Sequence, residues 1–168
     1  MRGAMRRNCR WVWAPVLAML AAAATRPAGA VELVYKKERG AVQSSCVREE
    51  KTNGLICVVV YAKPPYLGFQ FGSEDDPDSI AVTAGARRVP NSEITVKVDK
   101  FASHHVFGDG FVGKEAEALL YEIEQGTNMS VRFESRDPDT PSRGVIDLKD
   151  LRTALQEVER LRAGHSGE

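Results

Sequence analysis

The chain has 168 residues, with 23 basic and 23 acidic side chains and a hydrophobic fraction of 43%. That length suits one domain around one core, and the charge is not that of a basic nucleic-acid binder. The first thirty residues hold five arginines and no acid, so residues 31–168 carry 18 basic against 23 acidic groups, a formal net charge of −5. This acidity disfavours nucleic acid and anionic membrane surfaces as partners.

Residues 1–30 have the layout of a secretory signal peptide. Arg2, Arg6, Arg7 and Arg10 precede a mainly apolar run of fourteen residues (11–24), and Ala28-Gly29-Ala30 forms a small-x-small site, so cleavage is expected after Ala30. Fourteen residues fall short of the roughly 20 that span a bilayer, so no stable membrane insertion is expected after cleavage. Arg6-Arg7 is followed by the polar Asn8-Cys9-Arg10, unlike a twin-arginine signal, and no cysteine follows Ala30 to carry a lipid. The mature protein is expected in the periplasm or outside the cell. The domain plan is a signal peptide (1–30), a single β-sandwich domain (31–163) and a disordered tail (164–168).

Residues 31–35 are a candidate edge strand and 42–47 the first arm of a hairpin. Its second arm, 55–61, is apolar on both alternating faces: Leu55, Cys57, Val59 and Tyr61 on one, Ile56, Val58 and Val60 on the other. Such a strand is most stable when covered on both sides, which places it centrally. With Cys9 removed, Cys46 and Cys57 remain as an even pair in an oxidising compartment, and a disulfide between them is expected. The Asn53-Gly54 dipeptide signals a two-residue turn, but that turn would set Cys57 opposite Glu50. Pairing Cys46 directly with Cys57 requires a wider loop through residues 50–53.

Lys63-Pro64-Pro65 breaks the ladder, because neither proline can donate to it. Strands follow at 66–71, 79–83 and 94–99, the last with Ile94, Val96 and Val98 inward and Thr95, Lys97 and Asp99 outward. Residues 114–125 place Ala116, Leu119, Leu120 and Ile123 at helical spacing before the stop at Gly126. A strand at 129–134, a turn at 136–143 and Val145-Ile146 lead to Asp147, an N-cap for a helix over 148–162 with a stripe of Leu148, Leu151, Leu155, Val158 and Leu161. The fold class is therefore mainly β: an immunoglobulin-like β-sandwich with two added α-helices.

No catalytic motif is visible, and the chain reads as a non-enzyme with no cofactor. His104 and His105, with Asp109 nearby, are the metal-ligand candidates, but adjacent strand residues point to opposite faces and cannot share one ion without a turn. The acidic group Glu74, Asp75, Asp76 and Asp78 lacks the spacing and glycine of a calcium loop and reads as a solvated turn. Asn128-Met129-Ser130 is a glycosylation sequon whose position at a strand onset makes its use unfavourable.

An exported chain of this length with a C-x10-C hairpin near the mature N-terminus resembles the invasion-associated locus B proteins of Gram-negative bacteria. The resemblance continues through ITVKVD (94–99), EAEALLYEIEQGTNMSVRF (115–133) and VIDLKDLRTALQEV (145–158). That family usually carries a tryptophan before the first cysteine and often a second cysteine pair before the first helix; residues 42–45 and 107–113 carry neither. The resemblance implies an immunoglobulin-like sandwich in the periplasm or cell envelope, associated in some members with host-cell invasion, and supplies no catalytic residues. Two functions follow as expectations. The first is a non-enzymatic binding module with a protein partner, marked by an exposed apolar patch at a sheet edge. The second is a small ligand or metal binder, or an inhibitor of a host wall-degrading enzyme such as lysozyme, marked by His104, His105 and an acid converging in a pocket.

Overall fold

The computed structural model describes residues 31–49, 54–73, 76, 79–85, 88–108, 110–139 and 141–165; residues 1–30, the hairpin loop 50–53 and Asp109 lie outside these. Ten strands and two helices follow in the order β1 (Val31–Arg39), β2 (Val42–Glu49), β3 (Leu55–Tyr61), β4 (Leu67–Phe71), β5 (Ile80–Ala84), β6 (Glu93–Val98), β7 (His104–Phe107), β8 (Phe111–Val112), α1 (Lys114–Gln125), β9 (Asn128–Phe133), β10 (Arg143–Asp147) and α2 (Leu148–His165). The protein is mainly β, as the alternating patterns predict. β7 and β8 are additions to the predicted set, because strands this short carry too few residues for an alternating pattern to be read.

Two antiparallel sheets form, one in the order β1-β2-β3-β4-β5-β8 and one in the order β10-β9-β6-β7. The first is a sequential meander closed by the short β8. β3 is central as expected, flanked by β2 and β4, and Cys46 pairs directly with Cys57 across the hairpin. A disulfide joins them with Cα atoms 4.0 Å apart. The register carries through to the hydrogen bond that Glu49 N–H donates to the Gly54 carbonyl (3.0 Å). The ladder thus runs from Cys46–Cys57 out to Glu49 and Gly54; the wider loop expected over residues 50–53 lies outside the described residues.

Period-two alternation decides what each sheet buries. The first sheet turns Val42, Cys46, Leu55, Cys57, Val59, Leu67, Phe69, Phe71, Val82 and Ala84 inward. The second contributes Ile94, Val96, Val98, Met129, Val131, Phe133 and Ile146, and all of these join one core cluster. β3 is not covered equally on its two faces: Ile56, Val58 and Val60 are only half-buried.

α1 packs on β5 and β8, α2 packs on β2 and β3, and the helices touch each other. Ala116, Leu119, Leu120 and Ile123 of α1 are buried, as are Leu148, Leu151, Ala154, Leu155 and Val158 of α2. The predicted stripes are thus the buried faces, except that Leu161 at the end of the α2 stripe is only partly buried. Asp147 caps α2 by accepting the Lys149 N–H (2.8 Å), while Arg152 of α2 donates to the Gly126 carbonyl at the end of α1 (2.8 Å). Gly126 ends α1 in an extended conformation and not a left-handed one. Its glycine is required by space instead, since a Cβ there would run into Val98 and lie 3.2 Å from Leu148. One expectation is corrected: residues 164 and 165, assigned to a disordered tail, are helical. The Arg162 guanidinium sits 5.5 Å from the Phe71 ring centre and ties the last turns to the sheet. Among the described residues no helix is long and apolar enough to cross a membrane.

Two outcomes test this packing. Leu155 is buried mid-helix, so Leu155→Ala should lower unfolding stability by about 2–5 kcal/mol, the usual result of truncating a core leucine; an unchanged melting midpoint would place the stripe at an interface. Cys46 and Cys57 are fully buried, so a thiol assay on residues 31–168, which lack Cys9, should find no free thiol even in denaturant, and reduction after denaturation should cost refolded stability about 2–3 kcal/mol for a loop this short.

Candidate functional site

The histidine pair lies on β7, at the edge of the second sheet, and diverges as adjacent strand residues must. His104 turns toward α1, with its Nε2 2.9 Å from Glu122 Oε2 and outside hydrogen-bond alignment, and with its ring edge-on to Phe111 (centroids 6.2 Å apart). His105 turns to the opposite, solvent side, where Nδ1 lies 2.8 Å from Glu93 Oε1 and 3.5 Å from the Thr95 hydroxyl. Asp109, the third candidate, lies outside the described residues, as do Glu74, Asp75 and Asp78 of the acidic loop. Among the described residues no group of three or more His, Cys, Asp or Glu side chains could hold a metal ion. His104–Glu122 joins an edge strand to a helix, and His105–Glu93 is a surface pair of small energetic weight. The sequon residue Asn128 opens β9, where its N–H is bound by the Asp99 carboxylate (3.0 Å).

The main concavity is on the solvent face of the second sheet, with a volume of about 550 Å³. Glu93, Thr95, Arg132, Glu134, Asp137 and Ser142 are among the residues that line it. Its floor follows from the register, in which Thr95 faces Arg132 on one side and His105 on the other, and Arg132 in turn faces Arg143. The wall beyond β9 is ordered locally. Ser135 Oγ donates to the Asp137 carbonyl (2.9 Å), Asp139 N–H donates to Asp137 Oδ1 (3.0 Å), and Val89 N–H donates to the Glu134 carbonyl (2.8 Å). The trough was not visible in the sequence beyond the outward polar positions of 94–99, because it is made by strands that meet only through register.

The second open feature is β1, which pairs with β2 on one side and, among the described residues, has no strand on its other edge. Val31, Leu33 and Val34 are 58%, 53% and 36% exposed. A register shift between Leu33 and Tyr35 marks a bulge, and beyond it the strand is polar. Its inward side is held by Glu157 of α2, whose carboxylate accepts from Tyr35 Oη (2.9 Å), Lys37 Nζ (2.7 Å) and Arg39 Nη2 (3.0 Å). The Lys37 ammonium bonded to it holds the Glu157 carboxyl below its ordinary value of 4.5, with Tyr35 and Arg39 acting the same way and partial burial opposing them. Nearby Glu159 is pushed up by burial and by the charge of Glu124. The small hollow beside Glu157, about 270 Å³, offers no spare acceptor charge, because its one carboxylate is already committed.

A carboxyl lowered on folding contributes stability above its ordinary value and loses it as pH falls through the lowered one. Amide exchange along β1 should therefore quicken as pH falls below the ordinary carboxyl value of 4.5, after correction for the intrinsic pH dependence of exchange. Glu157→Gln should raise exchange at neutral pH and flatten that dependence; an identical profile in the variant would show that the clasp does not hold the strand.

No family model, curated protein sequence or solved structure matches the chain.

Proposed function

We propose that the protein is an exported, non-enzymatic binding module of the periplasm or cell envelope, and that its partner is another protein. The observation that carries this reading is the unpaired edge of β1, where Val31, Leu33 and Val34 stand exposed beside one another. Soluble domains blunt such edges with charge, bulges or cover. Here Lys36, Lys37, Glu38 and Arg39 do so for one half of the strand, and in the other half Glu32 is the one charge among three exposed apolar residues. A strand edge with apolar side chains is a template for strand addition, in which main-chain hydrogen bonds supply affinity and side chains supply selectivity.

Export is supported by the charge asymmetry of residues 1–30 and by a structural disulfide, which persists in oxidising compartments. Cleavage after Ala30 would leave Val31, the first residue of the open strand, as the new N-terminus. Layout shared with the invasion-associated locus B proteins supports a partner in the cell envelope or on a host cell. The competing reading as a ligand or metal binder through the histidines loses its support, since His104 and His105 face opposite ways.

The test is cross-linking in the native compartment with wild type and Leu33→Asp. The expected result is a discrete cross-linked species that the variant loses while its melting temperature stays close to wild type, and N-terminal sequencing that begins at Val31. Full retention of the species in Leu33→Asp would overturn the role of the edge, and a cytoplasmic protein starting at Met1 would overturn export.

A further inference from the structure

The trough on the second sheet is independent of the β1 edge, and its charges are arranged in an unusual way. Arg132 and Arg143 are directly opposite each other on β9 and β10, and both are exposed. Like charges directly opposite in a sheet are destabilising, and among the described residues neither guanidinium makes a hydrogen bond or an ion pair. Glu134, next along the same face past the end of β9, is exposed and equally without a partner. Of these, Arg132 is the one cation lining the cavity, and it shares the lining with the carboxylates of Glu134, Glu93 and Asp137; Glu93 is paired with His105, and Arg143 faces Arg132 from outside the lining.

We propose that this trough binds a small zwitterion, with the ligand carboxylate on the Arg132 side and its ammonium on Glu134. Arginine suits the first role because its planar fork takes a carboxylate through two parallel hydrogen bonds. The bound carboxylate would also relieve the repulsion between Arg132 and Arg143. Spacing narrows the ligand class. Same-face residues two apart on a strand are about 6.6–6.8 Å apart, and an extended chain spans about 3.3–3.6 Å per residue. A free-ended dipeptide, whose charged ends are about two residues apart, matches the separation of the two backbone positions. The hydroxyls of Thr95 and Ser142 line the same cavity and can meet the peptide group between the charged ends.

The test is a chemical-shift titration of the mature chain with glycylglycine, with glycine, acetate and methylammonium as shorter or half ligands. Glycylglycine should saturate and bind more tightly than any of the three. Arg132→Gln and Glu134→Gln should each weaken it roughly tenfold or more, the loss expected on removing one charged hydrogen-bond partner. Glu134→Gln should not weaken acetate binding, since it removes a like charge from the cavity, and Lys97→Gln, on the same sheet face outside the cavity, should leave glycylglycine binding unchanged. Melting temperatures of the variants, read alongside, separate lost binding from lost folding. Three results would overturn the proposal: no saturable titration by glycylglycine, acetate binding as tightly as the dipeptide, or Lys97→Gln weakening binding as much as Arg132→Gln does.

Discussion

The direct opposition of Cys46 and Cys57 sets the register from which the first sheet is built. Side chains alternate along a strand with a period of two, so a slip of one residue would exchange the two faces of a strand. In β3 that exchange would expose Leu55, Cys57 and Val59 and bury Ile56, Val58 and Val60, all of them apolar. Hydrophobicity alone discriminates weakly between those arrangements. The covalent pairing removes the ambiguity, and with β3 fixed, β4 and β5 follow through their ladders, bringing Phe69, Phe71 and Val82 to the same buried side.

α2 then closes that side. Its leucine stripe lies over β2 and β3, and its outer edge reaches β1 through Glu157. The edge strand is otherwise held by a single neighbour, and most of its side chains are exposed. Three donors from alternate positions of β1 meeting one carboxylate tie the strand to the helix from the inward side and leave the opposite edge unobstructed. An apolar, open strand can thus be kept ordered without being covered.

The second sheet is built by the same alternation with a different result. Its inner face completes the core, and its outer face carries charge and hydroxyl groups with no helix over them. The histidines, adjacent in sequence, are divided between these two environments by the pleat of β7, one against α1 and the other in solvent. Adjacency on a strand already argued against a joint role for them, and the pleat of β7 separates them as expected.

The sequence by itself determined what is local. The two helices, the cap at Asp147, and the inward sets of 94–99 and 129–134 are each read from a short window, because period and turn chemistry are properties of neighbouring residues; the cysteine pairing follows from their even number once residues 1–30 are set aside. The mainly β class follows from their sum. Tertiary structure decided the rest. The extension of β1 to Arg39, the convergence of Tyr35, Lys37 and Arg39 on Glu157, the opposition of Arg132 to Arg143, and the existence of β7 and β8 join residues far apart in the chain or rest on strands too short to show a pattern. Such juxtapositions are set by strand register and by which helix covers which face, and a single sequence without its partners in space does not encode them in any local period.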